Sequence, residues 1–408
     1  MTRTLSNPKT SIIQVAAVNK ENAHWDSDGE LLTYLRKKMI PFGFWPLQSS
    51  QTWYWSMLRW FIVIMVTVLN TIPNVNGAIG LIQSNVIEFM QSMCEVSTMV
   101  YWSVRTAFIS YYWKEITQIF VTFQHIWHEI HAYDLPEWRE TVRNSQKFIE
   151  RLSIITFWLF LVANVSYEIV AICVSMIRHF LYDPPGEMAY GIHADFVVDT
   201  KHDLTLYLSF YFPLTIFQFI FVQIHAAIEL LIIFMPYYYA LYFKLIQLKI
   251  NKLNEKLGKI SPREAKKELV NIIEEHKIAI DCVRAFEEEI KIVLLTNYIM
   301  NTFIICFFMF AFIKLLQDNI VTFIIFVGYA AAVHTNLVYL SYFGQFLLDE
   351  SDGVGRAAWN MAWYDQDMEF QKCIKFIIMR SQKPVAVSGA GFYYISLESY
   401  YNIQLVRS

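Results

Sequence analysis

The sequence predicts an all-α membrane protein with seven transmembrane helices. Of its 408 residues, 55% are hydrophobic and 17% are charged, whereas a soluble domain carries about 25% charged residues. Apolar stretches long enough to cross a bilayer, about 20 residues each, recur along the chain. The predicted spans are residues 55–79, 86–112, 152–181, 204–240, 292–316, 320–348 and 385–406.

Lys and Arg residues are concentrated on one side of these spans. They number 6 in residues 1–54, 4 in 113–150, 10 in 241–290 and 4 in 349–380. The other side has Lys201 in the loop 182–203 and Arg407 near the C-terminus. Because cytoplasmic loops are enriched in Lys and Arg, we expect a cytoplasmic N-terminus and an extracellular C-terminus. G-protein-coupled receptors have the opposite orientation, and the sequence lacks their Asp-Arg-Tyr and Asn-Pro-x-x-Tyr motifs, so that class is excluded.

The predicted helices extend beyond the membrane on the Lys- and Arg-rich side. We expect residues 1–54 to form a cytoplasmic N-terminal arm and residues 55–408 a seven-helix domain, with cytoplasmic anchor helices in 241–291 and 349–384. The run Ser261-Pro262-Arg263-Glu264 has the spacing of a capping box, so a helix is predicted to begin there and continue into the fifth span. Apolar side chains at helical spacing in both segments predict a base suited to subunit assembly.

Signals for an enzyme or a bound cofactor are weak. Gly353-Val354-Gly355 lacks the preceding strand and the third glycine of a dinucleotide-binding turn, so we interpret it as a loop. His125, His128 and His131 have no carboxylate or Cys that would complete a tetrahedral metal site. The net charge of −3 excludes a strongly basic nucleic-acid-binding protein. We therefore expect neither enzymatic activity nor a cofactor, metal or nucleic-acid partner.

The half of the bundle on the extracellular side is rich in aromatic and Met side chains with a few hydroxyl groups. Such linings suit volatile organic ligands, although the same residues are also compatible with ordinary packing between helices. The candidate ligand-binding residues are Met90, Met93, Ser97, Tyr167, Ala171, Ser175, Tyr207, Tyr211, Phe212, Phe323, Phe326 and Val327. The acidic loop 182–203 lies on the same side and is either a cation-concentrating mouth or a solvated loop.

The last predicted span is too polar for simple exposure to lipid. Ser396, Glu398 and Asn402 need protein or water beside them, because an unpaired polar group in hydrocarbon costs several kcal/mol. We therefore predict a pore helix in residues 385–408, with Gly391, Ile395, Glu398 and Asn402 on one face. The alternative is a helix that lies on the membrane surface.

The last seventy residues, together with a short N-terminal motif, resemble one known family. The matching residues are Phe343-Gly344, Asp349-Glu350-Ser351, Trp363-Tyr364, Phe370-Gln371-Lys372, Arg380-Ser381-Gln382-Lys383-Pro384, Gly389-Ala390-Gly391-Phe392-Tyr393, Ser396-Leu397-Glu398 and, near the start, Gly43-Phe44-Trp45-Pro46. This pattern is similar to the C-terminal signature and the N-terminal motif of insect odorant receptors.

The resemblance implies an odorant-gated, non-selective cation channel in the plasma membrane of olfactory sensory neuron dendrites. It implies a heterotetramer, surrounded by membrane lipid, in which a variable tuning subunit joins a shared co-receptor. Odorants, which are volatile organic small molecules, would bind between spans two, three, four and six. The second half of span seven would line the pore. The sequence lacks the co-receptor's long insertion between spans four and five, so it resembles a tuning subunit.

The C-terminus departs from the family pattern. Family members continue about ten residues further, roughly 15 Å of helix. We expect either a shortened end or a deletion within 398–401; in the second case Ile403 and Val406 are the gate candidates. Two alternative functions stay open at this point, a gustatory-type ligand-gated channel subunit and a non-conducting ligand-binding subunit.

Overall fold

Helices account for nearly all of the ordered secondary structure. The structure, a computed structural model, describes residues 53–82, 86–182, 186–190, 194–196, 198–318 and 320–405. Within those ranges there is no strand beyond one isolated bridge between Ser388 and Tyr394. The α-helices are α1 (Trp53–Val66), α2 (Ile72–Leu81), α3 (Val86–Tyr111), α4 (Trp113–His131), α5 (Pro136–Leu181), α6 (Leu204–Lys256), α7 (Pro262–Asp318), α8 (Ile320–Trp359), α9 (Met368–Ser381) and α10 (Leu397–Leu405). The predicted all-α class is confirmed, and the predicted N-terminal arm lies almost entirely outside the described residues.

Four helical stretches among the described residues are long and apolar enough to cross a membrane. They are Ser56–Leu81, Pro136–Leu181, Leu204–Lys256 and Pro262–Phe307. The helix α3 has a suitable length, 26 residues, but contains Glu88, Glu95 and Arg105. Glu95 and Arg105 are buried, and charged groups inside a bundle need partners.

The helix α6 is the centre of the bundle. It packs against α5, α7 and α8, and nearly every residue from Phe221 to Phe243 is buried. A helix that is apolar on all sides is stable only where protein surrounds it. Its position explains why this segment has no polar face.

The helices α6 and α7 extend past the predicted spans 204–240 and 292–316. The helix α6 ends at Lys256, before Gly258, whose φ of +79° belongs to the left-handed region that glycine tolerates. Ser261 donates its backbone N–H to Glu264, and Glu264 donates its backbone N–H to the Ser261 hydroxyl at 3.3 Å, so the predicted capping box is confirmed. The helix α7 then runs without a break into the fifth span.

The interpretation of Gly353-Val354-Gly355 as a loop is wrong, since both glycines lie inside α8. A Cβ on Gly353 would collide with the side chain of Gln247, and one on Gly355 would collide with Ser381. These glycines therefore serve close packing of α8 against α6 and α9. Gln247 also donates to the backbone carbonyl of Glu350 at 2.9 Å, which holds α6 and α8 together at this point.

The C-terminal segment is helical over a shorter range than the sequence predicts. The helix α10 begins at Leu397, not near residue 385. Ala390 and Gly391 have φ values of +53° and +78°, which a right-handed helix cannot contain. Ser396 is the N-cap residue, because its hydroxyl accepts the backbone N–H of Ser399 at 3.1 Å.

The loop before α10 is tied to α7 and α8. The Ser388 backbone N–H donates to Glu287 at 3.0 Å, and the Tyr393 hydroxyl donates to the carbonyl of Leu294 at 2.8 Å. Gly344 of α8 lies so close to Ile395 that a Cβ would collide with the Ile395 backbone. The start of the terminal helix is thus positioned by two long helices of the bundle.

Candidate ligand site

The predicted ligand-binding residues of α5 and α6 lie together. The Tyr207 hydroxyl is 3.3 Å from the Ser175 hydroxyl, and the Tyr211 hydroxyl donates to the backbone carbonyl of Glu168 at 2.8 Å. Ser175 and Tyr207 are fully buried, and Ala171 is buried between these contacts along α5. The structure therefore places four of the predicted residues (Ala171, Ser175, Tyr207, Tyr211) at one junction between two helices.

Part of the loop between α5 and α6 covers this junction. The Ser175 hydroxyl and the backbone of Ala189 contact each other twice, with the Ala189 N–H and carbonyl both 2.8 Å from the Ser175 oxygen. Tyr207 also donates to the Ala189 carbonyl at 2.9 Å. Met188 is 1% exposed and Tyr190 is 7% exposed. The loop 182–203 is therefore not solvated along its whole length, because its centre is packed into the bundle.

Aromatic rings line the same region. The ring of Tyr190 lies 5.0 Å from that of Tyr207, and the rings of Tyr207 and Tyr211 stack at 5.5 Å. Phe196 contacts Tyr190 at 5.2 Å and Phe210 at 5.1 Å. Aromatic surfaces of this kind provide contact area for an apolar ligand with little loss of conformational entropy, since each ring has few rotatable bonds.

The predicted ligand-binding residues of α3 include two methionines. Met90, Met93 and Ser97 are all half-buried. Cys94, between them, is fully buried and its thiol is 3.9 Å from the carbonyl of Ile304, which fixes α3 against α7. Half-buried Met side chains can adjust to ligands of different shape because the thioether chain is unbranched and polarizable.

The remaining predicted ligand residues have different environments. Tyr167 and Val327 are half-buried. Phe212 is 54% exposed and points away from the junction that Tyr211 occupies, as expected for neighbouring positions on a helix. Phe323 and Phe326 lie outside the residues whose side chains the structure describes.

Polar groups at the site match a ligand with a single polar function. Glu168 is 4% exposed, and its Oε2 atom accepts a hydrogen bond from Thr215 at 3.2 Å. Its Oε1 atom has no hydrogen-bond partner among the described residues. A buried carboxylate oxygen without a partner is costly and is satisfied by a donor such as a ligand hydroxyl or a water molecule. The arrangement suits apolar molecules that have one hydroxyl group.

A buried ion pair that the sequence analysis did not identify lies further along α3 and α6. Arg105 and Glu229 form it, with side chains 1% and 2% exposed. Arg105 also donates to the Tyr101 hydroxyl at 2.9 Å. The ring of His225 lies beside that of Trp102, tilted to it, with ring centroids 4.3 Å apart. The sequence shows Arg105 and Glu229 inside predicted spans, which indicates that each needs a partner. That they pair with each other depends on how α3 and α6 pack.

The predicted pore residues are divided between a loop and a helix. Gly391 is exposed in the loop before α10, and Ile395 is 2% exposed against α8, so these two do not share a helical face with the others. Glu398 and Asn402 are both exposed, four residues apart on α10. The side chain of Ile403 and all of Val406 lie outside the described part of the chain.

These features define a multi-pass helical membrane protein with a buried aromatic junction between α5 and α6, and comparison with known proteins identifies the family. The family described as 7tm Odorant receptor matches this chain over residues 85–405. The chain belongs to this odorant receptor family. The predicted family and its seven-helix class are therefore confirmed.

Individual relatives and solved structures support the same family assignment. Odorant receptor 10a of Drosophila melanogaster is 20% identical over 85% of this chain and 86% of that protein, and odorant receptor 67c is 22% identical over 66% and 64%. The odorant receptor coreceptor of the same insect is 26% identical over 32% of this chain and 27% of its own. The structure of the insect olfactory receptor OR5 from Machilis hrabei has the same fold, with a TM-score of 0.75 at 10% identity, over 91% of this chain and 96% of that one. OR5 has also been solved in complex with eugenol, and that structure has a TM-score of 0.75.

Proposed function

We propose that this chain is the tuning subunit of an odorant-gated, non-selective cation channel that it forms with a shared co-receptor. The observation that carries the proposal is the enclosed junction of Ser175, Tyr207 and Tyr211 in a chain of the odorant receptor family. A buried aromatic site with few polar groups suits a volatile organic molecule. The eugenol complex of OR5 supports this ligand class.

The proposed ligand site comprises the half-buried and buried predicted residues of α3, α5, α6 and α8. Its members are Met90, Met93, Ser97, Tyr167, Ala171, Ser175, Tyr207, Tyr211 and Val327. Phe212 is left out because it is exposed. Glu168 is added because its free Oε1 atom can accept a hydrogen bond from a ligand hydroxyl.

The proposed orientation has the N-terminus in the cytoplasm and the loop between α5 and α6 outside the cell. The excess of Lys and Arg in residues 241–290 and the other regions on that side supports it. Odorants would then reach the site from the extracellular half of a plasma membrane, in the dendrites of olfactory neurons.

The proposed partners are co-receptor subunits in a heterotetramer. Apolar side chains on the α8–α9 part of the predicted anchor are exposed in the isolated chain, among them Trp359, Tyr364, Met368 and Phe376. Exposed large apolar side chains of this kind are common at subunit interfaces. The connection from α6 to α7 is only residues 257–261, which favours a tuning subunit over a co-receptor.

The proposed pore lining is α10, with Glu398 and Asn402 facing the conduction path. Both side chains are exposed in the isolated chain and lie one helical turn apart. A ring that includes carboxylates attracts cations at the mouth of a channel.

The test is co-expression of this chain with an insect odorant co-receptor in cells that lack both. Whole-cell current during application of a panel of volatiles should appear only with both subunits. With equal concentrations of Na⁺ outside and K⁺ inside the cell, the current should reverse near 0 mV. Cells with the co-receptor alone are the control. Absence of current with confirmed surface expression, across phenols, alcohols and esters, would overturn the proposal.

A further inference from the structure

Two buried oxygen atoms near the junction of α5 and α6 have no hydrogen-bond partner among the described residues. One is Oε1 of Glu168 on α5 and the other is Oε1 of Gln218 on α6, and each of these residues is 4% exposed. Thr215 donates to the second oxygen of Glu168 at 3.2 Å, and Gln218 follows Thr215 by three residues on α6. Residues at this spacing are neighbours on the surface of a helix, so Gln218 lies next to the contact between Thr215 and Glu168.

The hydroxyl groups around these two atoms use their protons elsewhere. Tyr207 donates to the carbonyl of Ala189 at 2.9 Å. Tyr211 donates to the backbone carbonyl of Glu168 at 2.8 Å, and Thr215 donates to its Oε2 atom. Carboxylate and amide oxygens accept hydrogen bonds and do not donate them. A molecule that binds to both free oxygens must therefore supply the donors.

Glu168 also lacks a positively charged partner. Among the described residues, no Lys, Arg or His pairs with its carboxylate, whereas the buried carboxylate of Glu229 is paired with Arg105. An unpaired charge is unfavourable in the interior of a bundle, and a cation bound beside it removes that cost. A hydroxyl group has one proton to donate and no charge, so it satisfies the two acceptors only in part.

The surroundings of Glu168 favour a positive charge as well. Tyr211 brings its ring beside Glu168, and the rings of Tyr207 and Tyr211 stack with centroids 5.5 Å apart. The face of a Tyr ring attracts an ammonium group. The loop 182–203, part of which covers the junction, contains five Asp or Glu residues and one Lys. This excess of negative charge concentrates cations near the site.

We propose that the ligand site is specific for primary amines, whose ammonium group binds between Glu168 and Gln218. A primary ammonium has three N–H donors and one positive charge, so it satisfies both free acceptors and pairs with the carboxylate. This inference rests on the proposed function, because it names the ligand class of the same site. Gln218 is a new member of that site, and together with Glu168 it determines the specificity.

The test measures binding to the full chain in phosphatidylcholine nanodiscs by equilibrium dialysis. The probes are radiolabelled n-butylamine, 1-butanol and methyl propyl ether, which are similar in size but differ in the hydrogen bonds that they donate. Empty nanodiscs report partition into lipid, which is subtracted. At neutral pH n-butylamine is protonated, as is the amine of Lys with its pKa of about 10.4. We expect n-butylamine to bind at least fivefold more tightly than 1-butanol, and methyl propyl ether to bind more weakly than either.

Variants of the two acceptor residues make the test specific. Glu168→Gln removes the charge and keeps the shape, so it should weaken n-butylamine binding at least tenfold and 1-butanol binding less than threefold. Glu187→Gln is the matched control, because it removes a negative charge from a side chain of the covering loop that is 67% exposed. It should change the binding of either probe less than twofold. Gln218→Leu should weaken n-butylamine binding about threefold, so the proposal remains testable if Glu168→Gln does not fold.

Equal affinity of the original protein for the three probes, or no binding of n-butylamine, would overturn the proposal. So would an equal loss of n-butylamine binding in Glu168→Gln and Glu187→Gln, because general negative charge would then attract the amine. The measurement needs neither current nor co-receptor. Odorant-evoked current in a protein that binds no n-butylamine would overturn the amine specificity and leave the proposed channel function intact, so the two failures are distinguishable.

Discussion

Arg105 of α3 and Glu229 of α6 form an ion pair inside the helical bundle, with both side chains at most 2% exposed. The pair has further support, because Arg105 donates to Tyr101 and His225 lies 3.8 Å from Glu229. The same two helices also meet at Trp102 and Phe221, whose ring centroids are 6.0 Å apart. The ion pair is therefore one of the contacts that hold α3 against the central helix.

Removing one member of this pair should destabilise the protein strongly. Arg105→Met or Glu229→Gln leaves an unmatched buried charge, which costs about 3–5 kcal/mol. Replacing both, with Arg105→Met and Glu229→Met together, should restore most of the loss because no unmatched charge remains. The melting temperature of detergent-purified protein measures this series.

The exposed pair Arg356–Asp352 is the matched control, since its side chains are 67% and 44% exposed. Arg356→Met should cost about 0–1 kcal/mol. A double variant of the buried pair that is as unstable as the worse single variant would contradict the role given to the ion pair.

The contact between Ser175 and Ala189 should hold the α5–α6 loop over the ligand site. Ser175→Ala removes both contacts of the hydroxyl with the Ala189 backbone, each worth about 1 kcal/mol. Amide hydrogen exchange of Met188–Tyr190 should then become roughly fivefold faster per lost kcal/mol. Ser166→Ala is the control, because among the described residues that hydroxyl bonds within its own helix, to Ala163. Equal exchange in both variants would show that the loop is held by other contacts.

Gly344→Ala should disturb the segment before the terminal helix. Its new Cβ would collide with the backbone of Ile395, and overpacking of this kind costs about 1–3 kcal/mol. Gly80→Ala is the matched control, because the space around Gly80 is open and Ala favours a helix. Surface expression and melting temperature should fall only for Gly344→Ala. A similar loss in both variants would mean that helical Gly-to-Ala substitution in general, and not this contact, is harmful.

The segment predicted to form the anchor should lose stability in acid through His276. Burial, and next the positive charge of Arg380, lower the pKa of His276 from 6.5 to about 4. The unfolded chain therefore binds a proton that the folded chain does not, so this contribution is present above pH 6.5 and lost as the pH falls towards 4. The full effect is on the order of 3 kcal/mol.

The variant His276→Gln isolates this contribution from the titration of carboxylates. Its melting temperature should fall less between pH 6.5 and 4.5 than that of the original protein. Parallel curves for the two proteins would contradict the burial of a neutral His276 against Phe243, whose ring is 5.9 Å away.

The helices and their ends could be predicted because the determining residues are local. The Ser261–Glu264 capping box and the left-handed Gly258 lie within a few residues of the ends that they define. The apolar character of α6 predicted its length, although only the fold shows that it is buried on all sides.

The remaining features depend on contacts between distant residues. Met188 and Tyr190 lie in an acidic segment, and their burial requires Ser175 and Tyr207 from two helices. Gly353 resembles a loop residue in the sequence but is needed inside a helix because Gln247 packs against it. The predicted helical start near residue 385 failed for a similar reason, since Glu287 of α7 binds Ser388 and stabilises a non-helical turn.

The most direct test of the central claim compares two neighbouring residues of α6. Tyr211 is 4% exposed inside the proposed ligand site, and Phe212 is 54% exposed outside it. Dose–response curves for an activating volatile are measured with Tyr211→Leu and Phe212→Leu, each co-expressed with the co-receptor at matched surface levels. We predict that Tyr211→Leu raises the half-maximal concentration at least tenfold, equivalent to about 1.4 kcal/mol of binding energy, while Phe212→Leu changes it less than twofold. Equal shifts in the two variants, or a shift only in Phe212→Leu, would contradict this account.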